Sequence, residues 1–477
     1  MRTRITVLGA GPGGYVAALR AAQLGAEVTL IEKDAVGGTC LNRGCIPSKL
    51  MKTAAEILEH SHNAAQFGVV PSGPMKLDLQ KWMQKKNQVI KNQVNGIHTL
   101  LQRHQVRFVA GEGLIDKPGH VIVRQNDGTI QEIAWDRLIL ATGAEPLGLP
   151  NIPFDGRRII SSNELLNLES IPETMVIVGG GVIGCEFACI MAAFGVKVTI
   201  IETFSRLLPL PSIDKDSSKV LQRELKKRKI HFHINQAVRR IDLNGDNLEV
   251  AIGPSIGSMD FHGSEPLELI LKAGQVLVCV GRSANTSNIG GENIGLHCDA
   301  KGWIPVDEHM QTAVPGVFAI GDVLGPSKVM VAHVAVMEGI ISAENAIGQN
   351  TRMDYSAVPS AIFTIPEVAS VGLSEDQAGE LGMATRTDIV LFRNLGKAHV
   401  TGEIAGQAKI ISARDSGRVI GVHLIGPHAT ELIAEGTLAI QTGRTVVELA
   451  QTIHAHPTLS EIMFETALKA MDRPLHG

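Results

Sequence analysis

The feature that most limits the fold of this chain is a pattern of residues that occurs twice. Residues 5–32 read ITVLGAGPGGYVAALRAAQLGAEVTLIE, and residues 175–202 read MVIVGGGVIGCEFACIMAAFGVKVTIIE. Each stretch has an apolar strand, a GxGxxG turn, an apolar helix and a second strand that ends in an acid. Such a turn between a strand and a helix is typical of Rossmann-like units, which bind dinucleotides. The repeat therefore predicts two such units and one dinucleotide for each.

The two turns match residue by residue. Their glycines permit a tight turn, close approach of a pyrophosphate and close packing of helix on strand, and the helix N-terminus favours phosphates. The acid after each turn is placed to accept hydrogen bonds from ribose hydroxyls. These positions are Gly9, Gly11, Gly14 and Glu32 in the first unit, and Gly179, Gly181, Gly184 and Glu202 in the second.

The residues alone leave open which unit binds which dinucleotide. A 2′-phosphate needs Arg or Lys near the end of the second strand. Arg206, four residues after Glu202, is weak support for such a phosphate. We therefore expect NAD rather than NADP.

The strongest chemical signal is GGTCLNRGCIPSK at residues 37–49, in which Cys40 and Cys45 are five residues apart. In a regular α-helix this spacing separates the Cα atoms by roughly 8–9 Å, whereas a disulfide requires less than about 7 Å. A bridge therefore needs a distorted turn, which Gly44 permits. Pro47 is typical of the first turn of a helix, so Cys45 is predicted near a helix N-terminus, where a thiolate is stabilised.

Two other interpretations of the cysteine pair are two buried thiols or half of a metal site. A metal site requires more ligands at short spacing, and the next histidine is His60, so redox chemistry is favoured and no metal is expected. Lys49 is either a solvated side chain or a positive charge beside the cofactor. The other four cysteines are predicted to be small buried residues: Cys185, Cys189, Cys279 and Cys298.

Thiol–disulfide exchange also needs a base to form the thiolate. The histidines best suited to this lie in IHAHPTLSE at residues 453–461. His456 precedes Pro457, so its backbone is held extended, and Glu461 could orient its ring. His454 competes with His456 on this evidence, and a surface His–Glu pair is the other interpretation.

Length and composition are those of a multidomain α/β protein. At 477 residues the chain is too long for one core, and about three domains are expected. The net charge of −4 is spread along the chain, without a basic block typical of nucleic-acid binding, and no apolar run predicts a membrane span. The strand at residues 5–8 leaves no room for a leader, so we expect a cytoplasmic protein or a matured organelle-matrix form.

Further patterns indicate how the rest of the chain is organised. DRLILATG at 136–143 and GQVLVCVG at 274–281 are apolar strands that end in glycine. Residues 146–153 are interpreted as a linker and residues 253–266 as a loop. After residue 350, the sequence predicts strands of alternating apolar and polar residues at 403–412 and 418–426. Helical patterns follow at 429–441 and 459–471. Together they indicate an α+β domain with an antiparallel sheet.

These motifs together resemble a known family. GGTCLNRGCIPSK, ATG at 141–143, GVIGCE at 181–186, VGR at 280–282, AIGD at 319–322 and HAHPTLSE at 454–461 occur in the order found in the pyridine nucleotide–disulfide oxidoreductases. The resemblance covers essentially the whole chain and is closest to the dihydrolipoamide dehydrogenase branch. It implies an α/β fold with two Rossmann-like dinucleotide-binding domains and a C-terminal α+β dimerisation domain, with FAD in the first unit and NAD in the second.

The resemblance also implies roles for individual residues. The expected catalytic residues are Cys40, Cys45, Lys49, Glu186, His456 and Glu461, although Glu186 is otherwise explained as an acid favoured by a helix dipole. The expected FAD-binding residues are Gly9, Gly11, Gly14, Glu32, Lys33, Gly38, Thr39, Lys49, Gly113, Ala141, Thr142, Gly143, Asp322, Met330, Ala332 and His333. The expected NAD-binding residues are Gly179, Gly181, Val182, Ile183, Gly184, Glu186, Glu202, Val238 and Gly281.

The implied reaction is the oxidation of dihydrolipoyl groups to lipoyl groups by NAD. A dithiol substrate attacks Cys40 with the help of His456, and Cys45 passes electrons to FAD. His456 would reach the cysteines of another subunit, which implies a homodimer. The implied partners are lipoyl domains of 2-oxoacid dehydrogenase complexes or the glycine cleavage H protein.

The predicted segments are an FAD-binding domain at 1–148, an NAD-binding domain at 149–273, a central domain at 274–350 that completes the FAD site, and an interface domain at 351–477. Alternatives are a glutathione-type reductase, against which Glu202 argues, and a mercuric reductase, whose second cysteine pair near the C-terminus is absent here. A flavin transhydrogenase would lack the dithiol. A scaffold subunit without catalysis is disfavoured because Cys40, Cys45, His456 and Glu461 occur together.

Overall fold

The computed structural model describes residues 2–70, 72–245, 247–255 and 268–477. The chain forms two compact units: unit 1 contains residues 1–51, 78–147 and 281–354, and unit 2 contains residues 52–77, 148–280 and 355–477. Within the described ranges, no helix combines the length and the apolar character that a bilayer span requires. Most of the loop predicted at 253–266 lies outside the described residues, and Gly253 and Pro254 end a strand.

The strands run in chain order as follows: β1 (Arg4–Leu8), β2 (Glu27–Glu32), β3 (Arg107–Lys117), β4 (His120–Gln125), β5 (Ile130–Ala134), β6 (Arg137–Leu140), β7 (Ala144–Pro146), β8 (Ile159–Ile160), β9 (Thr174–Val178), β10 (Lys197–Ile201), β11 (His231–His233), β12 (Gln236–Asn244), β13 (Asn247–Pro254), β14 (Leu269–Ala273), β15 (Gln275–Val278), β16 (Arg282–Ala284), β17 (Val317–Ala319), β18 (Ser360–Ile362), β19 (Glu367–Gly372), β20 (Thr385–Leu391), β21 (Gln407–Ala413) and β22 (Val419–Gly426).

The α-helices are α1 (Pro12–Gln23), α2 (Gly38–Arg43), α3 (Cys45–Asn63), α4 (Leu79–Arg103), α5 (Ser162–Leu165), α6 (Val182–Ala193), α7 (Lys215–Lys227), α8 (Ala332–Ala346), α9 (Glu375–Glu380), α10 (Gly396–Thr401), α11 (Ala429–Gln441), α12 (Val446–Gln451) and α13 (Glu461–Ala470). Short 3-10 helices include Gly291–Ile294 and Gly321–Leu324.

Unit 1 is built on a seven-stranded sheet in the order β17-β6-β1-β2-β3-β4-β5. The pairs from β17 to β3 are parallel, and β3, β4 and β5 pair antiparallel. The apolar residues of β1 and β6 are fully buried, as expected for the centre of a parallel sheet covered on both faces. Helices α1 and α8 pack closely because glycines face each other's backbone: a Cβ at Gly339 would lie 2.5 Å from the Gly13 carbonyl oxygen.

Unit 2 contains the second Rossmann-like sheet, a parallel sheet in the order β11-β10-β9-β15-β8, and the antiparallel three-stranded sheet β12-β13-β14. The apolar strand predicted at 274–281 is β15, which pairs in parallel with β9. The predicted boundary at 273/274 assigned this strand to the central segment, but its hydrogen bonds place it in the sheet of the second repeat. The predicted division into four segments otherwise stays a prediction.

The C-terminal part of unit 2 is an antiparallel sheet in the order β18-β19-β22-β21-β20, flanked by α11 and α13. This confirms the predicted α+β organisation and the helices expected near 429–441 and 459–471. The predicted alternation of buried and exposed residues in β21 and β22 is wrong, because nearly all their residues are buried. Helices α11 and α13 cover one part of the sheet, and α7 also packs on β22.

A buried lysine links β21 to the start of two helices in unit 2. The Lys409 Nζ atom lies 2.8 Å from Asp214 Oδ1, 2.6 Å from Asp216 Oδ2 and 2.8 Å from Glu375 Oε2. Burial opposes the charge of Lys409, but its hydrogen bonds to these carboxylates raise its pKa above the usual value. Asp214 caps α7, and Glu375 lies in the first turn of α9, so one ammonium group holds both helix starts.

Candidate active site

The glycine turn of unit 1 follows β1 and opens α1. Gly9 has φ +99°, and a Cβ there would lie 2.2 Å from the Ala141 carbonyl oxygen. A Cβ at Gly14 would lie 1.9 Å from the Gly9 carbonyl oxygen, whereas a Cβ at Gly11 would meet no atom within 4 Å. The outer glycines are therefore required by the protein's own packing. The middle glycine faces open space, which is where a dinucleotide pyrophosphate approaches in such turns.

The glycine turn of unit 2 repeats this geometry. Gly179 has φ +107°, and a Cβ there would lie 2.4 Å from the Cys279 carbonyl oxygen. A Cβ at Gly184 would lie 1.9 Å from the Gly179 carbonyl oxygen, and a Cβ at Gly181 would again meet no atom within 4 Å. Val182 and Ile183 form the first turn of α6. Both turns thus offer open space at the middle glycine, here called the cradle, and the helix N-terminus that a dinucleotide requires.

The acids at the ends of the second strands bind the glycine turns in the same way. Glu32 accepts hydrogen bonds from the backbone N–H groups of Ala10, at 2.7 Å, and Asp34, at 2.9 Å. Glu202 accepts from Gly180 N–H, at 2.6 Å, and Phe204 N–H, at 2.9 Å. One carboxylate oxygen is fixed by the turn and the other by the next loop. Each acid is therefore held beside the cradle, where the sequence predicts a ribose contact.

The other residues predicted to bind FAD lie in unit 1. A Cβ at Gly38 would lie 2.7 Å from Gly11 Cα, so this loop touches the glycine turn. Thr142 has a buried hydroxyl oxygen without a partner among the described atoms, as expected if a ligand completes its hydrogen bonding. Burial raises the pKa of Asp322, although Arg282 opposes this shift with an Nε–Oδ2 distance of 3.4 Å.

The remaining residues predicted for FAD occupy less diagnostic positions. Ala332 and His333 open α8, two residues after Met330, and Thr39 is in α2 beside Gly38. Ala141 and Gly143 flank Thr142 after β6, and Gly143 has φ +70°. Lys33 is exposed, with its Nζ 4.0 Å from Glu112. A Cβ at Gly113 would press on Leu8, so its position reflects packing within the sheet, and its contact with FAD stays a prediction.

Three residues predicted to bind NAD differ in their surroundings. Val238 lies in β12 and packs against the buried cluster of β9, β10, β13 and β15. Gly281 has φ +143° and belongs to unit 1. Glu186 is 5% exposed, and its Oε1 atom accepts a hydrogen bond of 2.8 Å from the Phe363 N–H. It lies beyond the first turn of α6, so the helix-dipole explanation for this acid is wrong.

The structure brings Cys40 and Cys45 together across the break between α2 and α3. A Cβ at Gly44 would lie 2.8 Å from the Thr39 carbonyl oxygen, so glycine permits the close turn that the sequence predicts. Hydrogen bonding to Cys45 and burial raise the pKa of Cys40 above its usual value, while the charge of Lys49 opposes this shift. Cys45 is the first residue of α3 and is the more exposed thiol. Of the two thiols, Cys40 is therefore the one whose proton is harder to remove than usual.

The two candidate histidines have different environments in unit 2. His456 Nδ1 lies 2.9 Å from Glu461 Oε1, and the imidazole is 76% exposed. Its Nε2 atom has no hydrogen-bond partner in the described part of the chain. The His454 side chain is 7% exposed, and its two ring nitrogens contact Thr452 and Glu435. His456 is thus the histidine with an accessible ring nitrogen, and Glu461 orients it as predicted.

The four other cysteines do not all match their prediction. Cys185 and Cys189 are fully buried, in agreement with the sequence. Cys279 is only partly buried and Cys298 is exposed, so the prediction of a buried residue is wrong for Cys298. Cys298 lies in the irregular segment between the 3-10 helix at 291–294 and Trp303 and belongs to no helix or strand.

Two further side chains shape the cradles in ways not expected from the sequence. Glu338 is 1% exposed in α8, and its Oε2 atom accepts a hydrogen bond of 2.6 Å from the Gly321 N–H, beside Asp322. An acid inside the apolar stretch AHVAVMEGII is a visible signal for such a role, because buried acids are nearly always hydrogen-bonded. Arg206 donates to three backbone carbonyls, which no sequence pattern indicates.

Comparison with known proteins identifies the family to which this arrangement belongs. The family described as pyridine nucleotide-disulphide oxidoreductase matches residues 3–339, and its dimerisation domain matches residues 358–467. The chain belongs to this family. Membership confirms the predicted fold class, and the match to a dimerisation domain supports a homodimer.

Several relatives that match nearly the full chain are named dihydrolipoyl dehydrogenase. The dihydrolipoyl dehydrogenase of Chlamydia muridarum is 42% identical over 472 residues, which cover 98% of this chain and 97% of that protein. A dihydrolipoyl dehydrogenase of Bacillus subtilis is 38% identical over 481 residues, covering 99% and 98%. Among solved structures, LpdA from Mycobacterium tuberculosis is similar, with a TM-score of 0.88, 29% identity and coverage of 98% and 99%. The HOCl-induced flavoprotein disulfide reductase RclA from Escherichia coli has a TM-score of 0.84 and is 26% identical. The match covers 97% of this chain and 99% of that chain.

Proposed function

We propose that this chain oxidises dihydrolipoyl groups to lipoyl groups and reduces NAD⁺ to NADH. The observation that carries the proposal is the hydrogen-bonded pair of thiols, Cys40 and Cys45, at the start of α3. Relatives with the name dihydrolipoyl dehydrogenase are 36–42% identical over nearly the full chain, which favours this disulfide chemistry over that of other branches of the family.

The chemistry of the cysteine pair is thiol–disulfide exchange. One substrate thiolate attacks Cys40 Sγ of the Cys40–Cys45 disulfide, which forms a mixed disulfide and releases Cys45 as a thiolate. The second substrate thiolate attacks the substrate sulfur of that mixed disulfide, which releases Cys40 and closes the lipoyl ring. The substrate is oxidised by two electrons, and the cysteine pair is reduced by two electrons.

The electrostatics of the pair favour this order of events. Hydrogen bonding to Cys45 and burial raise the pKa of Cys40, so the proton of the reduced pair resides on Cys40. Cys45 lies at the N-terminus of a 19-residue helix, where the helix dipole stabilises a thiolate. Lys49 follows one helical turn later and adds positive charge, as its effect on Cys40 indicates.

The residues of both cradles fit dinucleotides. In unit 1, the turn at Gly11, the Glu32 carboxylate, Thr142 and Asp322 would hold FAD. In unit 2, the turn at Gly181 and the Glu202 carboxylate would hold NAD. When bound, FAD would supply a two-electron acceptor for the reduced cysteine pair, and NAD would supply the final hydride acceptor. The protein's part is to align these groups and to keep each ribose beside a fixed carboxylate.

We assign the base of the exchange reaction to His456. Its Nδ1 is bound to Glu461, which leaves Nε2 to take a proton from the substrate thiol. Hydrogen bonds from Thr458 N–H and His456 outweigh partial burial and lower the pKa of Glu461, so Glu461 remains a carboxylate that orients the ring. In a homodimer built through residues 358–467, His456 would serve the cysteines of the other subunit, and the substrate would be a lipoyl group on a carrier domain.

The first experiment tests the cysteine pair. Cys45→Ser should abolish NADH formation from dihydrolipoamide while the protein keeps its flavin absorbance, because the serine cannot exchange disulfides. The wild-type protein should develop a long-wavelength charge-transfer band after two-electron reduction, and Cys45→Ser should not. Cys298→Ser, which changes an exposed cysteine, is the matched control and should behave like wild type. Activity retained in Cys45→Ser would rule out the dithiol mechanism.

The second experiment tests the base. His456→Gln should slow thiol exchange by on the order of 100-fold or more, as expected for a lost general base. His454→Gln should have a smaller effect, because both ring nitrogens of His454 are engaged within the protein. The rates are measured by stopped-flow reduction of the flavin with dihydrolipoamide. An equal or larger effect at His454 would reverse the assignment. A separate steady-state assay with dihydrolipoamide compares the formation of NADH with that of NADPH.

A further inference from the structure

In unit 2, one arginine makes three hydrogen bonds to the backbone of the loop that follows Glu202. Arg206 Nη1 donates to the Leu208 carbonyl at 2.7 Å, and Nη2 donates to Leu210 at 3.0 Å and to Ile213 at 2.9 Å. Burial lowers the pKa of Arg206 below its usual value. The guanidinium group is therefore turned towards the backbone of residues 208–213, and these bonds use donors that a 2′-phosphate would need.

The braced loop contains a strained residue. Leu208 has φ +49°, in the left-handed region that is unfavourable for a branched side chain, and its side chain is fully buried. A strained conformation persists only when its surroundings fix it. Here the Leu208 N–H donates to the Gly180 carbonyl at 2.8 Å, and its own carbonyl accepts from Arg206.

The same contacts reach the glycine turn that would hold the dinucleotide. Leu207 packs on Gly180, where a Cβ would lie 2.5 Å from its Cδ2 atom. The Gly180 N–H donates to Glu202 Oε2 at 2.6 Å, and the Phe204 N–H donates to Glu202 Oε1 at 2.9 Å. If the loop relaxed, Gly180 would lose the Leu208 bond, and Glu202 would lose a fixed donor. The orientation of the ribose-binding carboxylate thus depends on the loop.

We infer that Arg206 is a positioning residue for the dinucleotide site of unit 2, which holds residues 203–213 against the glycine turn and does not bind a 2′-phosphate. The inference rests on the proposed function, in which this turn binds NAD. It corrects the weak sequence indication that Arg206 supports a phosphate.

The test measures binding of three probes to the purified flavoprotein by calorimetry: NADH, 5′-AMP and adenosine 2′,5′-bisphosphate. Arg206→Met keeps the aliphatic stem and removes the donors. We expect it to raise the dissociation constants of all three probes by about 10-fold, as for lost hydrogen bonds to a charged group. Arg206→Lys should show a smaller rise, because an ammonium group still reaches some of the carbonyls. At saturating NAD⁺, kcat should change by less than about 2-fold, because the cysteine pair is untouched.

The matched control is Arg223→Met on α7, whose guanidinium is largely exposed and contacts Glu224. It should leave all three affinities unchanged. If Arg206→Met lost only the binding of the bisphosphate, Arg206 would be a phosphate ligand and the inference would be overturned. Unchanged affinities for all three probes in both Arg206 variants would also overturn it. If Arg206→Met does not fold, Arg206→Lys decides. Failure of the wild-type protein to bind NADH would instead refute the proposed function.

Discussion

The two glycine turns share almost every backbone contact, yet they are completed by different side chains. In both units, one acid joins the turn to the next loop. A backbone N–H of that loop also donates to the carbonyl of the residue after the first glycine of the turn. The donor is Gly37 N–H to Ala10 in unit 1 and Leu208 N–H to Gly180 in unit 2, both at 2.8 Å. In unit 1 the loop then enters α2 and the cysteines, with Asn42 donating to the Val36 and Gly38 carbonyls. In unit 2 Arg206 braces a strained loop. One backbone design thus serves two sites, and the loop after the acid distinguishes them.

Replacing the last glycine of each turn should have the largest effect on stability and cofactor binding. Gly14→Ala and Gly184→Ala each place a methyl group 1.9 Å from a carbonyl oxygen, and such overpacking costs about 3 kcal/mol or more. We expect Gly14→Ala to lose bound flavin, and Gly184→Ala to keep flavin but lose NADH binding. Absorbance of the purified protein and NADH titration measure these outcomes.

The middle glycines provide the matched control. Gly11→Ala and Gly181→Ala meet no protein atom within 4 Å, so the free energy of unfolding of the cofactor-free protein should change by less than about 1 kcal/mol. Cofactor affinity should nevertheless fall, because the methyl group occupies the space of the pyrophosphate. Full affinity in both variants would mean that the cradles do not bind dinucleotides through these glycines.

A smaller effect is expected at the acids. Glu202→Arg should shift preference from NAD towards NADP by on the order of 10-fold, because a guanidinium group pairs with a 2′-phosphate where a carboxylate repels it. Ratios of kcat/KM for the two nucleotides measure the shift. Glu32→Arg should weaken FAD retention without changing this ratio. A ratio unchanged by Glu202→Arg would place this acid away from the ribose.

The smallest expected effect on stability concerns hydrogen bonds at the first residues of β1 and β9. Arg4 pairs with Asp136 in unit 1, where hydrogen bonds from Arg4 lower the pKa of Asp136 to about 2. At the equivalent place in unit 2, the Gly274 N–H donates to Thr174 Oγ1 at 2.8 Å. The contribution of Asp136 to stability is present above the ordinary aspartate pKa of about 4 and is lost as the pH falls towards 2.

This difference predicts that Asp136→Asn destabilises the protein slightly at about pH 5 and less at about pH 3. Thr174→Val should have the same effect at both pH values, because its hydrogen bond carries no titrating group. Denaturant unfolding at the two pH values tests this. A pH-independent effect of Asp136→Asn would show that the ion pair does not contribute.

The sequence is sufficient to predict the elements that repeat and the residues whose chemistry is distinctive. The two strand–turn–helix units, the Cys40–Cys45 pair across Gly44 and the His456–Glu461 contact depend on local spacing, which sequence records directly. The burial of β21 and β22 could not be predicted, because it depends on helices that are distant along the chain. The carbonyl contacts of Arg206 depend on the left-handed conformation of Leu208, which no residue preference favours. Cys298 belongs to no helix or strand, so no periodic pattern of burial applies to it.

Lys409 has a consequence for how this protein tolerates change. Its single positive charge faces three carboxylates, and only one of these, Asp214, is as fully buried as the lysine itself. Replacing the lysine alone leaves the buried Asp214 without the ammonium group that it pairs with, and replacing one acid alone leaves the others in place, so no individual exchange produces a neutral interior. Removing a buried charge without its partner is far more harmful than exchanging the whole set. Redesign of the support beneath β21 and α7 therefore has to treat these four positions as one inseparable block.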